Sequence, residues 1–375
     1  MKLKYCTYCL QPDTRPNTYF TEGICPACNY FHQLPGVDWD ERMLILEDIF
    51  SNHRGKDGKH DCIIGVSGGK DSTRQALWVR DKFNVNPLLV SLSYPPEQLS
   101  ERGAENVSNL VNLGFDLVLS SPKPVTWQNL KRDGFEEFTN SFRSTELALF
   151  ASVPQIAIQY GIELILWGEN PALQLGDMSA LGNTGYDANE LRNMNTLSSG
   201  TEWMKKRGYK QEDLMAYQYP TRAEFEAANL SIVYLGWFMG DWSLLNNGVS
   251  SCLNGLIKRD DDVNLTGDLF GITALDEDHT PINQMIKYFK FGFGRTTDYV
   301  NEEIRLGRMT RKEGISVVSR YDHKCSDKYI KRYCDYLKIS PEYFWKKITT
   351  QLNKDLFYID SNQRIKPKFK VGFGI

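Results

Sequence analysis

The sequence lacks any apolar run that approaches the roughly 20 residues of a membrane-spanning helix. Its first ten residues, MKLKYCTYCL, also lack the apolar stretch of a signal peptide. We therefore expect a cytoplasmic protein that has no membrane partner.

An excess of charge of either sign is also missing. Lys and Arg together number 44, and Asp and Glu number 47, which gives a formal net charge of −3. Such a balance supplies no global attraction to nucleic acid or to an anionic membrane. We expect no nucleic acid among the partners, although a local basic groove is compatible with this composition.

Histidine is scarce and lies in no catalytic or metal-binding pattern. The five histidines form neither an HxxxH motif nor a Cys/His/Asp arrangement, and they stand at His32, His53, His60, His279 and His323. A GxCxG-like nucleophile elbow and an N-terminal cysteine are missing as well. We expect that a glutamine-hydrolysing domain is absent from this chain.

Four of the eight cysteines form two CxxC pairs near the N-terminus. Fifteen residues separate Cys6 and Cys9 from Cys25 and Cys28, a spacing typical of a tetrahedral four-cysteine zinc site. Four protein ligands leave no open coordination position, so we expect a structural zinc ion that stabilises a segment without a core of its own. A redox role or an iron–sulfur cluster is the alternative for the same residues.

Short apolar runs alternate with helical patterns from residue 61 onward. The predicted strands cover 61–66, 87–92, 115–120, 162–168 and 231–238, and the predicted helices cover 36–57, 71–83, 98–112 and much of 125–160. Apolar runs separated by helices imply an α/β fold with a parallel sheet covered on both faces. We expect 171–230 to be partly loop-like and to close over the site, and the remainder to be mainly helical.

The most informative motif is SGGKDS at 67–72, which directly follows the first predicted strand and precedes a helix. Two glycines allow a tight turn that presents successive N–H groups, and the helix adds its unpaired amides and the positive end of its dipole. Ser67 and Ser72 can donate hydroxyl groups, Lys70 can place a charge on a phosphate, and Asp71 can hold Mg²⁺. We expect this solvent-facing loop to bind a pyrophosphate.

Two commoner nucleotide motifs are absent. A Walker A loop would need Gly at 64 and Ser or Thr at 71, where this chain has Ile64 and Asp71, and no Rossmann GxGxxG is present. The strand, the SGGKDS sequence and the helix together resemble the PP-loop ATP pyrophosphatases, whose members adenylylate a carbonyl or carboxyl oxygen and release pyrophosphate. A glycine-rich turn without a ligand is the alternative.

These patterns divide the chain into four predicted segments. They are a zinc-ribbon-like four-cysteine segment (1–35), a helix and linker (36–60), a PP-loop ATP-binding α/β domain of the adenine nucleotide alpha hydrolase-like type (61–240) and a mainly helical C-terminal region (241–375). We expect ATP to bind in the third segment and zinc in the first.

Further candidate residues follow the fourth predicted strand and a glycine-rich segment near residue 294. Gly168, Glu169 and Asn170 stand at the sheet edge where α/β proteins gather ligands, although an ordinary turn before proline explains them equally well. Arg295 follows FGFG and can bind a phosphate or a sugar carboxylate. A solvated helix face is expected to explain the charges that follow, at Glu302, Glu303, Arg305, Arg308 and Arg311.

Taken together, the CxxC pairs, SGGKDS, WGENPA at 167–172 and FGFGRTTDYVNEEIRLGRMTR at 291–311 resemble the bacterial N-acetyl sugar amidotransferases over nearly the whole chain. That family converts the acetamido group of a sugar to an acetamidino group in surface-polysaccharide or flagellin-glycan pathways. The resemblance implies that the acetamido oxygen is adenylylated and then displaced by ammonia, with release of AMP and pyrophosphate. It also implies separate glutaminase and cyclase-like subunits that supply the ammonia.

The resemblance further implies a role for each matching residue. Lys70 and Asp71 would be catalytic, with Mg²⁺ bound at the loop. The residues implied to bind ATP are Ser67, Gly68, Gly69, Lys70, Asp71 and Ser72; those implied to contact the sugar are Gly168, Glu169, Asn170 and Arg295; those implied to hold zinc are Cys6, Cys9, Cys25 and Cys28. The chain departs from the family pattern at 173–176, where an acidic residue is expected and LQLG is found.

Two alternatives from other classes remain open. PP-loop tRNA thiolases also combine such a loop with cysteine pairs, but no further CxxC pair follows and the chain has no basic excess. A non-catalytic zinc-containing scaffold would leave SGGKDS without a purpose. Failure to bind ATP would favour the scaffold.

Overall fold

One parallel sheet forms the centre of the protein. The structure, a computed structural model, describes residues 3–55, 59–178, 181–182, 184–193, 197–198 and 200–374. The strands of the sheet are β1 (Cys62–Val66), β2 (Pro87–Leu92), β3 (Asp116–Ser120), β4 (Leu164–Trp167) and β5 (Ser231–Tyr234). They pair in the order β3-β2-β1-β4-β5, and each neighbouring pair is parallel. The predicted α/β fold is confirmed.

Helices cover the sheet and form most of the C-terminal region. Those that precede β5 are α1 (Pro26–Gln33), α2 (Trp39–Asn52), α3 (Lys70–Phe83), α4 (Glu101–Asn112), α5 (Pro124–Phe138), α6 (Phe142–Tyr160), α7 (Pro171–Gln174), α8 (Glu202–Lys206) and α9 (Arg222–Ala227). Those that follow are α10 (Leu244–Leu253), α11 (Val263–Thr266), α12 (Thr280–Phe291), α13 (Arg295–Arg305), α14 (Arg311–Tyr321), α15 (Asp327–Leu337) and α16 (Pro341–Thr350). Among the described residues, no helix combines the length and the apolarity that crossing a membrane requires.

Both faces of the sheet are buried, which explains the near-continuous apolar runs of its inner strands. Ile63 and Ile165 point to a core that includes residues of α5 and α6. Ile64 and Leu166 point to the opposite core, which includes residues of α2 and α3. A strand with helices on both faces needs apolar side chains at successive positions.

The predicted strands agree with the structure to within a few residues. The fifth strand is shorter than predicted, and one hairpin was not predicted. The fifth strand ends at Tyr234, because Leu235–Trp237 forms a single 3₁₀ turn. The omission is an antiparallel hairpin near the C-terminus, β6 (Phe357–Ile359) and β7 (Ile365–Pro367), in a region predicted to be mainly helical. The predicted boundaries of the four segments stay a prediction.

The N-terminal segment packs on the C-terminal helices. Two isolated bridges, Tyr5 with Pro12 and Thr21 with Ile24, fold the stretches that carry the two cysteine pairs. Leu10 belongs to a buried cluster that also contains Val300 of α13. The segment therefore completes its apolar core with side chains that lie almost 300 positions later in the sequence.

Candidate active site

A cavity of about 360 Å³ lies at the carboxyl ends of β1 and β4. The strand order reverses there, because the chain places β2 on one side of β1 and β4 on the other. In open α/β sheets this is the crevice where ligands bind. The lining includes side chains from the SGGKDS turn, from the segment after β4 and from α13, beside others from β2, from α6 and from residues 272–275.

The SGGKDS turn connects β1 directly to α3. Gly69 is the N-cap of α3 and provides no side chain that could bond the amides of the first turn. Gly68 adopts a positive φ of +70°, and a Cβ atom at this position would lie 2.8 Å from backbone atoms of Asn106 and Val107. Only glycine fits such a site without strain. The turn therefore leaves first-turn amides and the positive end of α3 available to an anion.

Lys70 and Asp71 are held by partners on both sides. The Lys70 Nζ atom lies 2.6 Å from Asp71 Oδ2, and the amide of Asn247 on α10 donates to Asp71 Oδ1 at 2.6 Å. Both residues belong to the first turn of α3, and Lys70 is buried. The expectation of a solvent-facing loop is wrong for Lys70, because α10 covers this turn.

Helix α10 and Asp241, which lies three residues before it, hold α3 through further polar contacts. Ser251 donates its hydroxyl to the carbonyl of Lys70 at 2.6 Å. Arg74 donates to Asn247 Oδ1 at 2.5 Å and to Asp241 Oδ2 at 2.6 Å. Sequence reasoning missed Asn247, since α10 has no motif and lies about 180 positions from the loop. The position of the loop thus depends on a helix from the C-terminal region.

The segment after β4 places Gly168 and Glu169 in the lining of the cavity. A Cβ atom on Gly168 would lie 2.4 Å from the end of the Gln75 side chain, so a larger residue here would force Gln75 of α3 to move. The Glu169 side chain is open to the cavity, while protein atoms surround it on its other sides. This partial desolvation, and next the charge of Asp71, raise the pKa of Glu169 to about 7 against the opposing effect of Lys70.

Asn170, by contrast, lies outside the lining of the cavity. It is buried, its side-chain oxygen accepts from the Leu173 amide at 3.2 Å, and its Nδ2 donates to the Gly236 carbonyl at 3.4 Å. These bonds cap α7 and join it to the turn after β5. Asn170 therefore matches the ordinary-turn interpretation, and the structure does not bring it together with the other predicted substrate contacts.

Helix α13 forms the wall opposite the loop with Arg295, Asp298 and Glu302. Glu302 is only 4% exposed and accepts from the Leu244 amide at 2.5 Å. Burial raises its pKa to about 7, although nearby Arg305 acts in the opposite direction. Of these three residues, only Arg295 was predicted from the sequence. Asp298 lies three positions after Arg295, and Glu302 lies four positions after Asp298. Residues at these spacings share one face of a helix.

The predicted solvated face on α13 is wrong. Glu302, Glu303 and Arg305 are buried, and Arg308, which is exposed, forms an ion pair with Glu303. Arg311 donates to the backbone carbonyls of the N-terminal cysteine segment. The charges are covered because that segment and α10 pack against this helix, which a local charge pattern does not reveal.

The cavity fits a magnesium-bound nucleotide in the chemistry of its lining. Asp71, Glu169 and Glu302 line the same space, and hard cations prefer such carboxylate oxygens. The raised pKa values of Glu169 and Glu302 show that these carboxylates lack full compensation from the protein alone. A divalent cation would supply it, with Asp71 and Glu169 as the residues that would hold it.

The four N-terminal cysteines form a compact cluster. The Sγ atoms of Cys6, Cys9, Cys25 and Cys28 all lie within 4.8 Å of one another, and all four residues are buried. Sulfur ligands about 2.3 Å from a tetrahedral zinc ion would lie about 3.8 Å apart, and the Cys9 and Cys25 sulfurs are 3.7 Å apart. The cluster therefore fits the predicted zinc ion.

Residues 270–370 match the family model described as LPS biosynthesis protein WbpG-like, C-terminal domain. This match includes the cavity wall on α13, and it confirms the predicted family resemblance over that part of the chain. An uncharacterized protein of Methanocaldococcus jannaschii is 24% identical over 166 residues, which are 44% of this chain and 58% of that protein. The chain thus spans less than two thirds of that relative.

The chain is also similar to solved structures. The NH3-dependent NAD synthetase from Campylobacter jejuni shares 13% identity with a TM-score of 0.28, over 60% of this chain and 100% of that chain. The U34-tRNA thiolase NcsA from Methanococcus maripaludis shares 12% with a TM-score of 0.29, over 80% and 88%. The NMN synthetase from Francisella tularensis shares 16% with a TM-score of 0.27, over 36% and 56%.

Proposed function

We propose that this chain is an ATP-dependent amidotransferase that acts on an N-acetylated sugar, a proposal supported by the match of residues 270–370 to the WbpG-like C-terminal domain model. It would replace the acetamido oxygen with nitrogen from ammonia, giving an acetamidino group, AMP and pyrophosphate. The observation that carries the proposal is the SGGKDS turn, which opens α3 at the crevice between β1 and β4. It faces α13 of the WbpG-like domain across one cavity.

The first proposed step forms a bond between the acetamido oxygen and the α-phosphorus of ATP. The bond from that phosphorus to pyrophosphate breaks, and negative charge develops on the leaving group. The first-turn amides of α3, the ammonium of Lys70 and the dipole of α3 would stabilise this charge. Oriented dipoles that need no reorganisation are an effective form of catalysis.

The second proposed step replaces the activated oxygen. Ammonia attacks the carbon of the adenylylated acetamido group, the bond to oxygen breaks, and AMP leaves with that oxygen. The attacking nitrogen loses its proton to a carboxylate, and the proposed acceptor is Glu302, which lines the cavity and has a pKa of about 7. A base with a pKa near the working pH suits this proton transfer.

Two metals belong to the proposal. Mg²⁺, held by Asp71 and Glu169, would neutralise the phosphate charge. Zinc, held by the four-cysteine cluster, would stabilise the N-terminal segment. Gly168 and Arg295 line the cavity and remain the proposed contacts with the sugar.

We also propose that separate glutaminase and cyclase-like subunits supply the ammonia, and that the product serves a lipopolysaccharide such as the O-antigen in a cytoplasmic pathway. The family description, which names LPS biosynthesis, supports this context. No membrane and no nucleic acid are among the proposed partners.

Mass spectrometry of candidate acetamido sugars tests the reaction directly. The chain is incubated with ATP, Mg²⁺ and ¹⁴N- or ¹⁵N-ammonium, and we expect a product lighter than the sugar by about 1 Da with ¹⁴N, a difference that disappears with ¹⁵N. Glutamine in place of ammonium should give no product without partner subunits. Unchanged sugars across the panel, or turnover with glutamine alone, would contradict the proposal.

A further inference from the structure

The four-cysteine segment reaches the wall of the cavity through Arg15, which lies between the two cysteine pairs. The Arg15 guanidinium forms an ion pair with Asp298 of α13 and lies 4.5 Å from the centre of the Phe293 ring. Its Nε atom donates to Gln11 Oε1 at 2.7 Å. With only 11% of its side chain exposed, Arg15 is fixed between the segment and the helix.

Both carboxylate oxygens of Asp298 are occupied by cations from outside α13. Arg15 pairs with Oδ1, and the Nζ atom of Lys287 on α12 lies 2.8 Å from Oδ2. Burial alone would raise the pKa of Asp298, but Lys287, Arg15 and Arg295 together hold it well below its usual range. The carboxylate is therefore ionised, and each of its oxygens already has a close cationic partner, which weakens its attraction for a third cation.

Arg295 stands three residues before Asp298, the spacing at which opposite charges on a helix pair with each other. Within the described residues, however, Arg295 forms no ion pair with Asp298 or with any other carboxylate. Its Nε atom is buried and has no hydrogen-bond partner. Arg295 therefore keeps its charge without a carboxylate partner in the described residues, at the edge of the cavity that it lines.

We propose that Arg15 is a positioning residue of the active site. Together with Lys287 it occupies Asp298, and this occupation prevents Arg295 from pairing with Asp298 and directs Arg295 into the cavity. This positioning role depends on the proposed function in one respect only: the ligand that Arg295 contacts is taken to be the sugar substrate. It gives the N-terminal segment a part in substrate binding in addition to its structural zinc site.

The loop that carries Arg15 is itself held in place at both ends. The Leu10 amide donates to Asn301 Oδ1 of α13 at 2.8 Å, and the Thr14 hydroxyl donates to the Phe291 carbonyl. Cys9, directly before Leu10, belongs to the cysteine cluster. The cluster, this loop and α13 therefore form one continuous support for Arg295.

A crystal structure of the full-length Arg15→Gln variant tests the proposal without reference to turnover. We expect the Arg295 guanidinium to move to within about 4 Å of Asp298, the distance of an ion pair. Lys287→Gln vacates the other oxygen without touching the cysteine segment, and it should cause the same movement if the first variant does not fold. Lys4→Gln, an exposed cation of the same segment, is the matched control. An Arg295 that keeps its position in the Arg15 and Lys287 variants would overturn the proposal.

Kinetics provide a readout that a general loss of structure would not produce. For Arg15→Gln we expect the KM of the sugar to rise roughly 10-fold, with the KM of ATP unchanged. Arg15→Lys should restore it, and Arg15→Gln combined with Arg295→Gln should be no worse than Arg295→Gln alone. Additive losses, or a rise in both KM values, would overturn the positioning role.

A wild-type chain that converts no acetamido sugar would refute the proposed function, while the crystal structures would still decide the role of Arg15.

Discussion

Asn247 donates a hydrogen bond of 2.6 Å to Asp71 and so joins the SGGKDS turn to α10. The other oxygen of Asp71 lies 2.6 Å from Lys70 Nζ. With both oxygens oriented, the carboxylate is held at the edge of the cavity rather than free to rotate. This arrangement suits a ligand of Mg²⁺, whose preferred geometry tolerates little displacement.

Asp71→Asn should therefore abolish AMP formation while leaving the fold intact. The amide keeps the shape of the side chain and can still accept from Asn247, but it removes the charge that Mg²⁺ needs. We expect a loss of at least about 100-fold in AMP release from a folded protein with a somewhat lower Tm, because buried Lys70 loses its charged partner. Lys70→Ala should also lose AMP formation and some stability, because Lys70 is buried. Retained turnover in Asp71→Asn would refute its role.

Gly68→Ala should impair nucleotide binding, because φ is +70° at this position and the added Cβ would lie 2.8 Å from the backbone of α4. Gly114→Ala is the matched control, since its φ is +91° but its nearest neighbour, an atom of Arg80, is 4.0 Å away. Both variants should lose about 1–2 kcal/mol from backbone strain. Only Gly68→Ala should also weaken ATP binding, by about 10-fold or more in calorimetric titration. Equal ATP affinities in the two variants would show that the turn does not contact the nucleotide.

The cysteine cluster predicts one zinc ion per chain, measurable by elemental analysis of aerobically purified protein. Cys9→Ser should lose the zinc and lower the Tm, because the metal contributes folding free energy to the N-terminal segment. Cys252→Ser changes an exposed cysteine outside the cluster and should alter neither quantity. Iron with visible absorbance would replace the zinc assignment with an iron–sulfur cluster.

Glu302 predicts a specific dependence of stability on pH. Its pKa is about 7 in the folded protein and 4.5 as a model value, so the unfolded state loses this proton first as the pH rises. Stability must therefore fall between about pH 4.5 and pH 7, by roughly 3 kcal/mol for this group. Glu302→Gln should make the decrease smaller in urea unfolding measured at pH 5 and pH 8, and the part contributed by Glu169, whose pKa is also about 7, should remain.

Its neighbour Glu303 provides the control for that measurement. Glu303 is also buried but forms an ion pair with Arg308. Glu303→Gln should keep the wild-type decrease between pH 5 and pH 8, although its overall stability will be lower. An equal pH dependence in wild type and Glu302→Gln would show that Glu302 is ionised throughout this range.

The sheet, the turn and the cysteine cluster could be predicted from the sequence because each has a local signature. Buried parallel strands produce apolar runs, a pyrophosphate turn needs glycines between a strand and a helix, and zinc pairs have a fixed spacing. Glu302 and Arg305 could not be placed in the same way. Their charges look solvated until the N-terminal segment and α10 cover them, and that packing joins distant parts of the chain.

Asn170 was predicted to contact the substrate because of its position in the fold, but its contacts do not support that role. It follows a strand at the ligand-binding edge, but its side chain caps α7. Asn247 was missed because it belongs to no motif, and Asp298 was missed because only Arg295 was selected from the segment 291–311. Their importance comes from pairing with Asp71 and Arg15, more than 170 positions away in both cases.

A crystal structure of the protein with Mg²⁺ and α,β-methylene ATP tests the central claim most directly. We expect the β- and γ-phosphates to contact the amides of the turn at 67–72. The α-phosphorus should be accessible from the side of the cavity that α13 forms. Phosphates bound elsewhere, or a vacant turn whose amides bond to other protein groups at saturating nucleotide, would contradict it.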